Sequence, residues 1–374
     1  MRSFSNVRQM LLTVGFVLLA WGTQAQNYYV YVAAESEDEV AVVHFDGKTA
    51  RVAETIAVGY QPTEIEGPHG ITVDPSGEFW YLSMAHGNPY GRLYKYRTDN
   101  NKLVDYVELG IFPATMQISE ASGLLFCVNF NLHGRMVPST VSVVDPVSMS
   151  EITKITTGSM PHGSRISPDG LKHYSVAMMS GELFEIDALS LQVSKVLKLD
   201  KEEAGMDHSM HAGMDHSQHM NMDKGMSHSK VKPTWVIPHP TNGRVYVAGN
   251  GSDEILEIDT KTWETTRTFT TGKGPYNVEI SPDGKTLVAT YKSEGTTAVW
   301  NLKKGKEATK ITNSRKVSHG IAISSDSKYA FISVEGKGGQ PGSVDVIDLK
   351  KMELVAYAEV GKQAGGIAFW KMED

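Results

Sequence analysis

The chain has 374 residues, 40% apolar, 9% aromatic and 21% charged, which is enough apolar side chain for a packed core and excludes general disorder. A formal charge of −7 excludes the basic balance of a protein that grips nucleic-acid phosphates. The single cysteine, Cys127, excludes internal disulfides, four-cysteine zinc sites and iron–sulfur clusters.

Residues 1–25 read as a secretory signal peptide. Arg2 and Arg8 supply the positive start, residues 10–21 the short apolar run, and Thr23 and Ala25 the small residues at the cleavage positions. Cleavage after Ala25 removes two arginines and takes the charge from −7 to −9. No cysteine follows that could carry a lipid, and no later run is long and apolar enough to span a membrane. The expected location is therefore the periplasm or outside the cell. Cys127, inside an apolar run, reads as a buried strand residue.

From residue 26 the chain repeats itself. Pro-X-Gly or an equivalent, a short β run and a Ser-Pro-Asp-Gly-type turn occur from Pro68, Pro161, Pro275 and Ser318. Weaker copies start at Pro113 and Pro233, and a truncated last copy holds Ile367 to Trp370. The aligned positions are His69, Ala114, His162, Thr234, Tyr276, His319 and Gly365. All but one of the steps between them are 42–48 residues; the exception, of 72 residues, contains a polar insert.

Alternating β-branched and aromatic residues between Asp, Gly and Pro turns predict about four short antiparallel strands per unit. No segment carries sustained helical periodicity. Units of this length and make-up are propeller blades, so the expected fold is an all-β, seven-bladed β-propeller over residues 26–374. Ring closure is expected through pairing of Ile367–Trp370 with Tyr29–Val32, which leaves no open edge at the joint.

The run Thr140-Val-Ser-Val-Val-Asp145, with Thr157-Gly158, Pro161 and Ser167-Pro-Asp-Gly170, resembles the YVTN-type β-propeller repeat. Related propellers occur in the haem d1 domain of nitrite reductase and the N-terminal domain of nitrous-oxide reductase. The resemblance implies the fold and leaves function open, since this scaffold hosts many activities.

In a propeller the inter-blade loop and the loop between strands two and three emerge on one face. His69, His162 and His319 would rim the channel there, with His86 and His133 in neighbouring loops. Met84, Met160, Met178, Met179 and Glu335 fall in matching loops, and Tyr276 takes the histidine position of its own blade. Imidazole with thioether suits copper as Cu(I) or Cu(II), and imidazole alone also suits zinc or nickel. A histidine could equally be the axial ligand of a non-covalent haem. The blander reading is that each Pro-His-Gly histidine hydrogen-bonds its own turn. His44, His173 and His239 read as structural or surface residues.

Residues 200–230 break the β pattern and read as a flexible insert hanging from the histidine-bearing face. Its thioethers are Met206, Met210, Met214, Met220, Met222 and Met226, and its imidazoles are His208, His211, His216, His219 and His228. Met-Asp-His-Ser occurs twice. The segment is similar to Met/His-rich tracts of exported bacterial copper-resistance proteins, and soft thioethers favour Cu(I).

These features together predict an exported copper-binding propeller serving copper tolerance, storage or delivery, more a binding protein than an enzyme. One alternative is a metal-dependent oxidoreductase or lactonase-like enzyme at the channel mouth, although no catalytic base and nucleophile are assigned. Another is a protein-interaction scaffold. The expected partners are the metal ion and another exported copper-handling or redox protein, without nucleic acid, and the expected state is a monomer.

Overall fold

The computed structural model describes residues 26–61, 63–86, 90–200 and 228–374. The expected signal peptide, residues 1–25, and insert residues 201–227 lie outside them. Seven four-stranded antiparallel sheets form the ring of a β-propeller, as the repeat predicts. In six blades the strands run outward in chain order. Blade 1 holds Asn27–Ala34, Glu39–Phe45 and Ala50–Ala57, and takes its innermost strand, Ala364–Glu373, from the other end of the chain. Val30 pairs with Phe369, Tyr31 with Ala368 and Val32 with Ile367, which is the expected closure. Blades 2 to 7 begin at Pro68, Pro113, Pro161, Pro233, Pro275 and Ser318. No helix among the described residues is long and apolar enough to cross a membrane.

Burial explains the strand compositions. The middle strands are covered on both faces by neighbouring blades, so Phe79–Met84 and Tyr329–Val334 are almost wholly buried. The outermost strands, such as Leu103–Glu108, face water and carry charged residues. Between blades 1 and 2, Trp80 lies between Tyr31 and Tyr96, with ring centroids 4.9 and 4.1 Å away. Each large side chain sealed in this way contributes roughly 1.5–3 kcal/mol. Cys127 is fully buried, and its thiol is pushed far above the usual range by burial.

One backbone device recurs in every blade and places the site. The residue just before each innermost strand is left-handed: Gly67, Phe112, Met160, Lys232, Gly274, Val317 and Gln363, with φ between 44° and 67°. Its carbonyl accepts the N–H of the residue that leaves strand two: Ala85, Phe130, Met178, Asn250, Lys292, Glu335 and Glu35 respectively. The two chain segments are thereby clamped together on one face. Two residues after each left-handed residue comes the aligned position that holds His69, His162 or His319. The glycine that follows is a matter of space: a Cβ on Gly70 would stand 2.0 Å from the Ala114 carbonyl oxygen of the next blade.

Candidate functional site at the channel mouth

The three aligned histidines meet around the channel, as expected. The His69 ring centroid is 5.9 Å from that of His162 and 6.1 Å from that of His319. All three are buried. Tyr276 closes the circle, its ring 5.3 Å from His162 and 4.7 Å from His319.

Their hydrogen bonds differ. His162 is engaged at both nitrogens: Nδ1–H donates to the Thr234 carbonyl at 3.2 Å, and Nε2 accepts from the Tyr276 hydroxyl at 2.9 Å. Burial, aided by neighbouring His69, pushes its pKa down to about 3, so the ring is neutral. His69 uses Nδ1 to meet Glu35 Oε2 at 2.9 Å, which leaves Nε2 for another partner. The buried Nδ1 of His319 has no hydrogen-bond partner. Its Nε2 stands 3.8 Å from Glu335. Burial and the nearby Lys292 charge hold His319 well below the usual histidine range.

Glu35 organises one side of the mouth. Its other oxygen meets His86 Nε2 at 2.8 Å, and His86 Nδ1 faces His133 Nε2 at 3.2 Å. One assignment satisfies the whole row: His133 donates to His86, and His86 and His69 both donate to an ionised Glu35. Burial alone would raise the Glu35 pKa, but the charges and hydrogen bonds of His69 and His86 outweigh it and hold the carboxyl well below its usual range. Phe112 walls this row, its ring 5.1 Å from His69, 5.0 Å from His86 and 5.6 Å from His133.

The opposite side carries a half-buried ion pair. Lys292 Nζ lies 2.7 Å from Glu335 Oε1 and 4.3 Å from the Tyr276 ring centroid. Burial opposes the ammonium charge, but Tyr276 and the carboxylates of Glu335 and Glu35 outweigh it and keep Lys292 above the usual lysine range. Two carboxylates, Glu35 and Glu335, and one ammonium, Lys292, thus stand among the imidazoles of the mouth, of which His162 and His319 are held neutral by burial.

Among the described residues no three or more His, Cys, Asp or Glu side chains form a group that would hold a metal ion. What the mouth offers is narrower: His69 Nε2 and His319 Nδ1, two imidazole nitrogens not committed elsewhere. Two rings that share one ion through bonds of about 2 Å have centroids about 5–6 Å apart, so the 6.1 Å separation of His69 and His319 lies at the wide end. Glu35 on the far nitrogen of His69 is the usual outer partner of a ligating imidazole, fixing its tautomer and raising its basicity.

Two of the thioethers expected at the opening, Met84 and Met160, are buried in apolar clusters. Met84 packs in the cluster of Tyr31, Val40 and Trp80 between blades 1 and 2. Met160, with Met178 and Met179 against it, belongs to the cluster around Phe112, Phe130 and Val141. Interiors reward an unbranched apolar side chain more than the rim does. Insert residues Met206 to Met226 lie outside the described residues. His228, at its end, lines a groove with Met136, Met179 and Glu182. The insert's two ends are held together: Asp200 accepts from the Lys230 and Val231 N–H groups, and Ser229 N–H donates to the Met179 carbonyl.

The three remaining histidines stay out of the mouth. His44 meets Asn27 at 2.7 Å, and His239 bonds the Gly284 carbonyl at 2.9 Å. His173 stacks on Phe126 with centroids 5.1 Å apart.

The strand-entry alignment found the histidines but not Glu35, Lys292 or Phe112. Glu35 and Lys292, like Glu335, leave strand two of their blades, so a second alignment on that position brings them out. Phe112 is the left-handed residue of its blade.

Glycine at 67 keeps this row together. A Cβ there would lie 1.9 Å from His86 Cδ2, at a φ of +65°. Gly67→Ala should therefore swing His86 off Glu35 while the propeller stays folded. Loss of the hydrogen-bonded His86 N–H resonance in a proton–nitrogen spectrum is the expected sign; an unchanged resonance contradicts the geometry.

Comparisons with known proteins reach the fold alone. No family model matches the chain, and no curated protein does. Hydrazine synthase of Kuenenia stuttgartiensis is similar in structure, with a TM-score of 0.60 and 20% identity, over 78% of this chain and 80% of that one. A functionally unknown protein from Desulfotomaculum acetoxidans is similar with a TM-score of 0.67 and 15% identity, over 91% of this chain and 98% of that one.

Proposed function

We propose that the protein is an exported copper-binding propeller, in which the Met/His-rich insert collects copper and His69 and His319 receive it at the channel mouth, in the service of copper tolerance, storage or delivery. One observation carries the reading: two buried imidazoles, 6.1 Å apart, each keep a nitrogen uncommitted, and one of them is braced by a buried carboxylate. Burial keeps His319 neutral at physiological pH, so its nitrogen is available to a metal without first losing a proton. Two imidazoles suit Cu(I), which accepts low coordination numbers and soft or borderline donors. The insert's eleven sulfur and imidazole donors supply a local reservoir next to that mouth.

Copper titration of the mature protein beside a variant lacking 204–227 tests this reading. That deletion keeps Ser229, whose contacts tie the loop ends. We expect the full protein to take up several Cu(I) ions and the deletion to retain one. A deletion that retains none reduces the propeller to a carrier for the insert.

A further inference from the structure

Immediately beneath the histidines the channel holds a small cavity, and its lining is unusual in what it leaves unpaired. The residue after each aligned position forms the next tier of the channel: Gly70, Thr115, Gly163, Trp235, Asn277, Gly320 and Gly366. Four of the seven are glycine, so that tier is open where the others would fill it. The space measures about 30 Å³. A cavity of that size takes two or three water-sized groups, no more.

Polar atoms in its walls lack partners. Trp235 Nε1, Asn277 Oδ1 and His319 Nδ1 are buried without any hydrogen bond, and all three side chains line this one cavity. Buried polar groups are nearly always satisfied, and since His319 Nδ1 is the nitrogen assigned to the metal above, the Trp235 and Asn277 orphans around one void point to a further ligand that satisfies them. Arg165 also lines it. Its guanidinium stacks on Trp235 at 4.9 Å, donates to Glu279 at 3.1 Å and to the Ser164 carbonyl at 3.0 Å, and keeps further donors free. Thr115 is already committed, its hydroxyl donating to the His162 carbonyl.

We infer that this cavity is a binding site for a small monovalent oxyanion of formate size, held by the Arg165 guanidinium and the Trp235 indole N–H, with Asn277 completing the shell when its amide is turned so that the Nδ2–H, in place of the orphaned Oδ1, faces the anion. The donors outnumber the acceptors, and a guanidinium with donors to spare matches two oxygens on one carbon or nitrogen. Glu279 does not fill that role, because it holds the guanidinium from the lower side. It lines a second pocket there, which shares Ile71, Met116, Arg165, Ile321 and Ile367 with the cavity. The shared lining gives an anion a route from the face opposite the histidines. The site does not depend on copper, and its occupant would sit directly under His69 and His319.

Sodium formate titrated into the metal-free mature protein tests the assignment, read through tryptophan fluorescence because Trp235 is part of the shell. A saturable change is expected. Asn277→Asp, which sets a carboxylate in the same space, should abolish it, and Arg165→Lys, which keeps the charge and loses the fork, should weaken it by about tenfold or more. Thermal melts show whether both variants are folded. The absence of a saturable change in the parent protein, or an Asn277→Asp response equal to the parent's, overturns the site. Since no metal is present, either result is independent of the copper reading.

Discussion

Glu35→Gln should lower the affinity of the channel mouth for Cu(I) by about 10- to 100-fold, the usual cost of losing the outer partner of a ligating histidine. Glutamine keeps the size of the side chain and the chance of one hydrogen bond. It removes the charge that holds His69 with its proton on Nδ1 and its lone pair on Nε2. It also loosens His86, which shares the same carboxylate. The measurement is competition with a Cu(I) chelator in the background lacking 204–227, so that insert donors do not mask the change. An affinity within about twofold of the parent would mean that Glu35 is structural and His69 is no ligand. The variant should stay folded, because His69 retains its packing against Phe112, His162 against Phe130 and His319 against Tyr276.

Acid should destabilise the propeller steeply. His162 and His173 are buried neutral with pKa values pushed down to about 3 by burial, and His319 is held well below its usual range. In the unfolded chain the same rings titrate near 6.5. Between those values the unfolded state binds protons that the folded state refuses, so stability falls as pH falls. Each such ring costs about 1.4 kcal/mol per pH unit, and three cost about 4 kcal/mol per unit between roughly pH 6 and pH 4. Glu35 adds to this lower down. Its folded pKa is depressed, so its contribution is present above the unfolded carboxylate range and disappears as pH drops below it. Glu279 acts in the other direction, since burial raises its pKa and the folded state holds its proton longer.

His173 isolates one part of that slope. It touches no ligand, stacks on Phe126, and has no hydrogen bond at either nitrogen. His173→Phe should reduce the pH dependence by about a third, with stability at neutral pH unchanged or improved. Denaturant unfolding at pH 7, 6, 5 and 4 measures both effects. Equal slopes in parent and variant would contradict burial of a neutral ring at this position.

Much of this molecule was legible because a propeller writes its geometry in register. His-Gly at equivalent positions, after Pro68, Pro161 and Ser318, means a left-handed residue, a clamp to the loop leaving strand two, and a side chain delivered to the channel. His69, His162 and His319 follow from that alone. Tyr276 follows too, although its hydroxyl proves to occupy His162. Glu35 was hidden for a topological reason: it lies in the blade assembled from both chain ends, where the repeat cannot be aligned without the closing strand. Lys292 was hidden because a lysine on a loop reads as solvated until it is seen to pair with Glu335 over the Tyr276 ring. The methionines misled because Met84 and Met160 sit at the right places in sequence, while both side chains pack into buried apolar clusters. The cavity beneath the mouth was beyond reach, since it is made by what glycines leave out.

The central claim is that the propeller itself, apart from its insert, holds copper through His69 and His319. Cu(I) titration of the protein lacking 204–227, compared with the same protein carrying His69→Ala and His319→Ala, tests it most directly. The account predicts one tightly held ion in the first protein and none in the second, with both folded. Equal copper in the two, or none in either, would contradict it.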